Sequence, residues 1–249
     1  MNLPFELYPA IDLRDGRCVR LLQGDYDREV RYNADPVEVA LSFQAAGAPW
    51  IHVVDLDAAR SGEASNREVV GAIAAAVDIP VQSGGGVRTE DAARALYDVG
   101  VTRCVIGTAA VEDPGLVERL ASAGHRVAVG LDVRGEEVMI RGWEEGSALT
   151  IFEMLPKFEH VGADAVIVTQ IHNDGMGTGA DVNGLTAVLG ATTLPVIASG
   201  GVGSVQHIVD LVNVSVADRT LAGVIAGKAL HDGTITPEAA VAATVKAVS

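Results

Sequence analysis

The chain is predicted to fold as a (β/α)8 TIM barrel, eight parallel strands closed into a ring with helices outside, carrying an internal two-fold half-barrel repeat. Three observations predict it. Eight short apolar runs alternate with segments of helical spacing, and each run is too apolar to keep one face in water, as in parallel strands covered on both sides. The length of 249 residues suits eight such units. The third observation is a repeated glycine-tipped run. Ile79 to Val87 (IPVQSGGGV) returns at Leu194 to Val202 (LPVIASGGV), which sets Pro80 on Pro195, Gly85 on Gly200 and Gly86 on Gly201, each 115 positions on. Gly47-Ala48 and Gly162-Ala163 keep the same offset, while Asp12 and Asp132, like Gly107 and Gly227, stand 120 apart. A doubly wound open sheet also alternates strand and helix, but it predicts no half-length repeat. One barrel domain over 1–249 is expected, with half-barrels at about 1–123 and 124–249.

Tyr8 to Asp12 reads as the first strand, and Gly16 to Leu22 as an extended continuation. Gln23 to Asn33 is too polar for core and too long for a tight turn, so a mobile loop is expected. Asp35-Pro36 opens a helix, with Asp as N-cap and Pro in the first turn, and Gly47 closes it. Trp50 to Leu56 is the second strand, Arg67 to Val77 a helix, Ile79 to Ser83 the third strand and Thr89 to Val99 a helix. Arg103 to Gly107 is the fourth strand, and Asp113-Pro114 repeats the capping device of Asp35. The second half supplies strands at Val127 to Asp132, Ala165 to Ile171, Pro195 to Ser199 and Gly223 to Gly227. Its helices fall at Glu153 to Val161, Asn183 to Ala191, Ser204 to Val212 and Pro237 to Val248.

A formal net charge of −15 argues against nucleic acid or an anionic membrane surface as partner, because the long-range field repels polyanions. No apolar run approaches the roughly 20 residues of a membrane helix. Cys18 and Cys104 fit no metal or redox spacing, and none of the six histidines pairs with another at i, i+4, so no metal site is expected. A cytoplasmic monomer acting on a small molecule is the expectation.

In such a barrel the active face collects the residues at the C-terminal ends of the strands. Strands three and four end in Gly84, Gly85, Gly86 and in Gly107-Thr108; strands seven and eight end in Ser199, Gly200, Gly201 and in Gly227-Lys228. Glycine lets a backbone approach an anion, and a following helix start aims N–H groups at it. Tight turns alone would explain one Gly-Gly; four glycine-bearing ends in two symmetric pairs favour two phosphate cradles facing each other across the mouth. Between them the first and fifth strands end in Asp12 and Asp132. The repeat puts one carboxylate at each of these equivalent positions, and such a pair suits general acid–base work, in which one group gives a proton while another takes one. Asp174, in His172-Asn173-Asp174-Gly175, adds a third, although an ordinary Asp-Gly turn explains it equally well. No lysine other than Lys228 sits at these strand ends, which speaks against Schiff-base chemistry.

Taken together, PAIDLRDGRCVRLLQGDY, WIHVVDLDAA, VQSGGGVR, VIGTAAVEDP, VGLDVRG, IASGGV and GVIAGKAL make the chain resemble the phosphoribosyl isomerases of histidine biosynthesis, the ProFAR isomerase family, over nearly its whole length. The cyclase subunit of imidazole glycerol phosphate synthase shares the fold, but it usually carries Val-Lys-Gly where this chain has Val19-Arg20-Leu21-Leu22-Gln23-Gly24. The resemblance implies an Amadori rearrangement of an aldose to an aminoketose without metal or organic cofactor. By that analogy Asp12 is the base that takes the C2 proton and Asp174 the acid that opens the ribose ring. Asp132 assists, Thr169 hydrogen-bonds the substrate and Arg20 contacts it. Arg141-Gly142-Trp143 looks like the actinobacterial phosphoribosyl isomerase A subfamily, which also serves tryptophan biosynthesis. There Trp143 would stack on a flat ring and Arg141 pair with an anion.

The chain departs from the family after strand six. The usual Thr-Asp-Ile, two variable residues, Asp-Gly-Thr-Leu and then Gly-Pro-Asn is here Thr169-Gln170-Ile171-His172-Asn173-Asp174-Gly175-Met176-Gly177-Thr178-Gly179-Ala180-Asp181, and the repeat sets Asp55 on Gln170. The expectation is a changed substrate preference, with phosphoribosylanthranilate turnover kept and ProFAR turnover weakened. A non-catalytic phosphate-binding barrel is the rival from another class.

Overall fold

Eight parallel strands close a ring in chain order. They are β1 (Glu6–Arg14), β2 (Ile51–Asp55), β3 (Val81–Gly84), β4 (Arg103–Ile106), β5 (Val127–Arg134), β6 (Ala165–Gln170), β7 (Val196–Ser199) and β8 (Gly223–Ala226), and β8 pairs back onto β1. The protein is described here by a computed structural model that covers residues 4–22, 25–32 and 34–245. The outer helices are α1 (Pro36–Ala45), α2 (Arg67–Ala76), α3 (Glu90–Asp98), α4 (Pro114–Ser122), α5 (Ile151–His160), α6 (Val182–Ala191), α7 (Val205–Val212) and α8 (Pro237–Ala243). The (β/α)8 barrel is therefore the fold.

Alternation along the strands decides what reaches the mouth, since successive side chains point to opposite faces. On β1, Leu7, Ile11 and Leu13 pack outward against the helices, while Tyr8 and Ala10 belong to the interior cluster. Asp12 is the next residue of that inward set. On β5 the same parity leads from Ala128 through Gly130 to Asp132, and on β6 from Ala165 and Ile167 to Thr169. The apolar interior thus ends in polar groups at the C-terminal rim.

The opposite end of the barrel is closed by a buried cation. Arg103, 3% exposed, donates from Nε to Gln82 Oε1 at 3.0 Å and from Nη1 to Asp164 Oδ2 at 2.9 Å. Its guanidinium lies 4.5 Å from the Trp50 ring centre and 5.5 Å from that of Tyr8. Burial and the nearby Arg103 charge push His52 down to about 3, so its imidazole stays neutral against Gln82 at 2.9 Å.

Helix starts follow their caps. Asp35 accepts from the Val37 and Glu38 N–H groups, Thr89 from Ala92 and Ser204 from His207, while Thr150 and Glu153 form a capping box, each cap stabilising by roughly 1 kcal/mol. Asp113 is a correction. Its side chain does not cap α4, because it is held by Arg119 Nη2 at 3.0 Å.

Other elements also differ from the expectation. Within the expected loop Gln23 to Asn33, Asp25–Arg31 is a strand, paired antiparallel to Arg17–Leu22; Gln23, Gly24 and Asn33 lie outside the described residues. Its ladder hydrogen bonds, invisible in side-chain polarity, make it a strand. Leu56 starts a short helix (Leu56–Ser61) instead of ending β2, because the Asp55 carboxylate caps that turn at the Ala58 N–H. A hairpin of Glu137–Ile140 and Glu145–Thr150 follows β5. Helix α8 ends at Ala243, and positions 246–249 lie outside the described residues. Among the described residues no helix is long and apolar enough to cross a membrane.

Candidate active site

Arg20 is the centre of the rim. The ribbon Arg17–Leu22 folds back on β1 with Val19 opposite Asp12, which brings Arg20 over the mouth. Its guanidinium bridges two carboxylates, with Nη1 3.2 Å from Asp12 Oδ2 and Nη2 2.6 Å from Asp174 Oδ2. Asp174, 154 positions from Arg20 in sequence, lies in a turn and is also paired with that distant guanidinium. The three side chains are only 12–15% exposed. Burial pushes the Asp12 carboxyl above its ordinary range; Arg20 opposes this and the Asp174 charge reinforces it.

Asp132 faces the mouth from the other side in different surroundings. Burial raises it too, while hydrogen bonds from the Trp143 indole and the Thr169 hydroxyl favour its charged form, and Asp174 repels it. Thr169 stands beside Asp132 across the β5–β6 ladder and beside Ser199 across β6–β7. Asp12, Arg20, Asp132, Trp143, Thr169 and Asp174 are therefore brought together. Arg141 is not. Its guanidinium pairs with Glu145 at 2.9 Å and Glu112 at 3.2 Å, 59% exposed, and only its N–H reaches the rim, at Thr108 Oγ1. Lys228 is likewise turned aside, to Asp232 at 2.6 Å.

The glycines divide into two kinds. Gly85 and Gly86 have φ of +103° and +66°, and a Cβ on either would strike the carbonyl oxygen of Asp55 or Ala58. Gly201, at +84°, would strike Gly179 in the same way, and Gly200 lies against the Asp174 backbone. Their missing side chains seat each loop on its neighbour, a role the anion reading did not include. Gly84, Gly107 and Gly227 sit at strand ends, and Gly107 and Gly227 precede the short helices Thr108–Glu112 and Lys228–His231, whose first N–H groups have no intrahelical partner. The space beside Gly227 borders Ala10 and the Arg20 guanidinium.

Some residues were missed from sequence. Tyr32 donates to Asp232 at 2.8 Å and stacks on His231 with ring centres 4.8 Å apart, and His231 Nε2 lies 2.8 Å from the Ala10 carbonyl oxygen. No spacing signals that cluster. Asn66 and Asp181 were also passed over, although the 115-residue offset that relates the glycine runs relates them as well.

The chain is similar to known proteins over nearly its whole length. The model of the family described as histidine biosynthesis protein matches residues 6–236. Curated proteins of Granulibacter bethesdensis and of a Picosynechococcus strain are each 45% identical to the chain, over 240 and 244 residues. The alignments cover 96% and 98% of this chain, and 98% and 93% of those proteins. A Synechococcus protein is 46% identical over 231 residues. All three are named 1-(5-phosphoribosyl)-5-((5-phosphoribosylamino)methylideneamino) imidazole-4-carboxamide isomerase. On this likeness over nearly its whole length, the chain belongs to the histidine biosynthesis protein family and, within it, to the isomerases.

Proposed function

We propose that the protein isomerises the substrate named in its relatives, ProFAR, opening the aldose ring of its phosphoribosylamine arm and rearranging it to an aminoketose. One observation carries the reading: two carboxylates from distant parts of the chain, Asp12 and Asp174, held on one guanidinium at the barrel mouth. The relatives' substrate bears two 5-phosphoribosyl groups, hence a phosphate at each end. The paired strand ends at Gly84 with Gly107-Thr108, and at Ser199 with Gly227, offer backbone N–H groups on both sides of those carboxylates.

In this mechanism Asp174, as the acid, protonates the ring oxygen while C1 becomes an iminium carbon. Asp12 then removes the C2 proton, giving an enolamine that tautomerises to the ketose. Burial raises the affinity of Asp12 for a proton, which makes its carboxylate a stronger base than an ordinary aspartate. Arg20 keeps both groups in reach of one sugar. Asp132, fixed by Trp143 and Thr169, supports the developing positive charge on nitrogen.

Phosphoribosylanthranilate is a second candidate substrate, favoured by the Trp143 indole at the mouth, which could stack on a flat ring. Of the two departures on which the expected weakening of the ProFAR reaction rested, Gln170 keeps a hydrogen-bond partner in Asp181. Side-by-side kinetics on both substrates test this reading. ProFAR turnover that Asp12→Asn and Asp174→Asn abolish supports it; absence of turnover in the parent overturns it in favour of a non-catalytic phosphate-binding barrel, and turnover that survives Asp12→Asn overturns the assignment of Asp12 as the base.

A further inference from the structure

The loop that carries Asp174 is closed by a pair of side chains whose chemistry is inverted relative to its mate in the other half. In the first half Asp55 is the acceptor and Asn66 the donor. Asn66 Nδ2 lies 2.7 Å from Asp55 Oδ1, and the Asn66 backbone N–H 3.2 Å from Asp55 Oδ2. Both residues are buried, at 5% exposure for Asp55 and 1% for Asn66. Moving 115 positions on, Asp55 becomes Gln170 and Asn66 becomes Asp181. The carboxylate and the amide have changed places, and the bond persists: Gln170 Nε2 donates to Asp181 Oδ2 at 3.0 Å. Each pair also ties its loop to the turn after the preceding inner strand. Asn66 Oδ1 accepts from the Gly16 N–H at 2.8 Å, and Gln170 Nε2 donates to the Gly135 carbonyl at 3.2 Å.

Exchanging the amide alone would set two carboxylates against each other, and exchanging the carboxylate alone would leave a neutral amide pair; only the double exchange keeps a charge-assisted bond between a donor amide and a carboxylate. We propose that Gln170 and Asp181 are positioning residues for catalysis, a clamp that holds the loop between them so that Asp174 meets Arg20. This rests on the isomerase reading above. The intervening segment gives the clamp its leverage. The Asp174 N–H is bonded to the Gln170 carbonyl at 3.2 Å, Asn173 Nδ2 donates to the Gly179 carbonyl at 2.6 Å, and Gly179 N–H donates to the Gly201 carbonyl at 2.8 Å. Behind the pair lies a cavity of about 250 Å³, lined by Gln170, Asp181, Glu136, Phe152, Val168 and Leu185 among others.

Three variants test the clamp: Gln170→Asp, Asp181→Asn and the double variant, which rebuilds the carboxylate–amide order of the first half. Loss of a charge-assisted hydrogen bond predicts that Gln170→Asp lowers kcat for ProFAR roughly tenfold or more, with KM within about threefold. The double variant should return kcat to within about threefold of the parent. A Gln170→Asp enzyme within about twofold of the parent, or a double variant no better than Gln170→Asp, overturns the proposal. If Gln170→Asp does not fold, the double variant decides on the same limits. Amide hydrogen exchange over residues 171–181 tests the clamp without any substrate: faster exchange in Gln170→Asp, restored in the double variant, supports it, and unchanged exchange overturns it. A parent enzyme without turnover would refute the isomerase reading while exchange still judges the clamp.

Discussion

Replacing Arg20 by Met should destabilise the protein in proportion to how far its two carboxylates stay charged. The guanidinium holds Asp12 at 3.2 Å and Asp174 at 2.6 Å, all three side chains 12–15% exposed. Removing one partner of a buried ion pair costs about 3–5 kcal/mol. The residual exposure points to the lower end, about 3 kcal/mol, or a melting point lower by roughly 6–12 °C for a chain of this size. The sign with pH follows from Asp12. Burial already raises its folded-state pKa with Arg20 opposing, so loss of Arg20 raises it further. The deficit is therefore largest above that folded value and closes as pH falls through it toward the unfolded value of about 3.9. Urea unfolding of parent, Arg20→Met and Arg20→Lys between pH 8 and 5 measures it. Lysine, a point charge without the fork, should recover only part of the loss. A methionine variant as stable as the parent at pH 8, or a deficit that widens on acidification, refutes the reasoning.

Asp132→Asn should lower turnover yet raise the melting point at pH 7.5 by about 2–4 °C, since burial makes that charge costly to fold. The gain should vanish below about pH 4, where the parent carboxyl is protonated in both states; a destabilised variant at pH 7.5 counts against this. Asp12→Asn should cut kcat by about 10²–10⁴ without lowering the melting point, as read by kinetics and calorimetry. Gly86→Ala and Gly201→Ala should each cost roughly 2–4 kcal/mol in urea unfolding, from a left-handed backbone plus a collision with the Ala58 or Gly179 carbonyl. Arg103→Met should cost about 3–5 kcal/mol while leaving KM unchanged, because that cation closes the far end of the barrel.

The barrel was legible because burial on both faces imposes continuous apolar runs, and because the repeat at Gly85 and Gly200 survives as matched residues. Asp12 and Asp132 were legible because each ends an apolar strand at a position the repeat doubles, and Thr169 was legible through the family resemblance; in the structure all three continue the inward parity of their strands beyond the apolar layer. What escaped depends on where long side chains turn. Arg141 carries the right charge at the right loop, yet Glu112 and Glu145 on either side hold it at the surface. Gly86 and Gly201 read as anion seats because sequence shows a missing side chain but not the neighbouring carbonyl that excludes one. Gln170 read as a lost carboxylate because only one member of a coupled pair was compared with its mate; Asp181 restores the charge eleven residues on.

The repeat also explains why two equivalent aspartates can do different work. Val19 lies opposite Asp12 and Met139 opposite Asp132, each pair related by the same 120-position offset, so the two ribbons present the next residue in the same way. In the first half that residue is Arg20, and in the second its mate is Ile140. The 115-position mate of Asp174 is Ala59, which has no charge to offer. Two like frames thus meet one cation and one extra carboxylate, both on the side of Asp12. Asp12 gains a charged partner that also bridges to an acid, whereas Asp132 is left with the neutral donors Trp143 and Thr169. Unlike surroundings separate acid, base and supporting roles among carboxyl groups. In the proposed isomerase, the symmetry would supply the scaffold and the phosphate ends, and the exceptions to it at Arg20 and Asp174 would supply the direction of proton transfer.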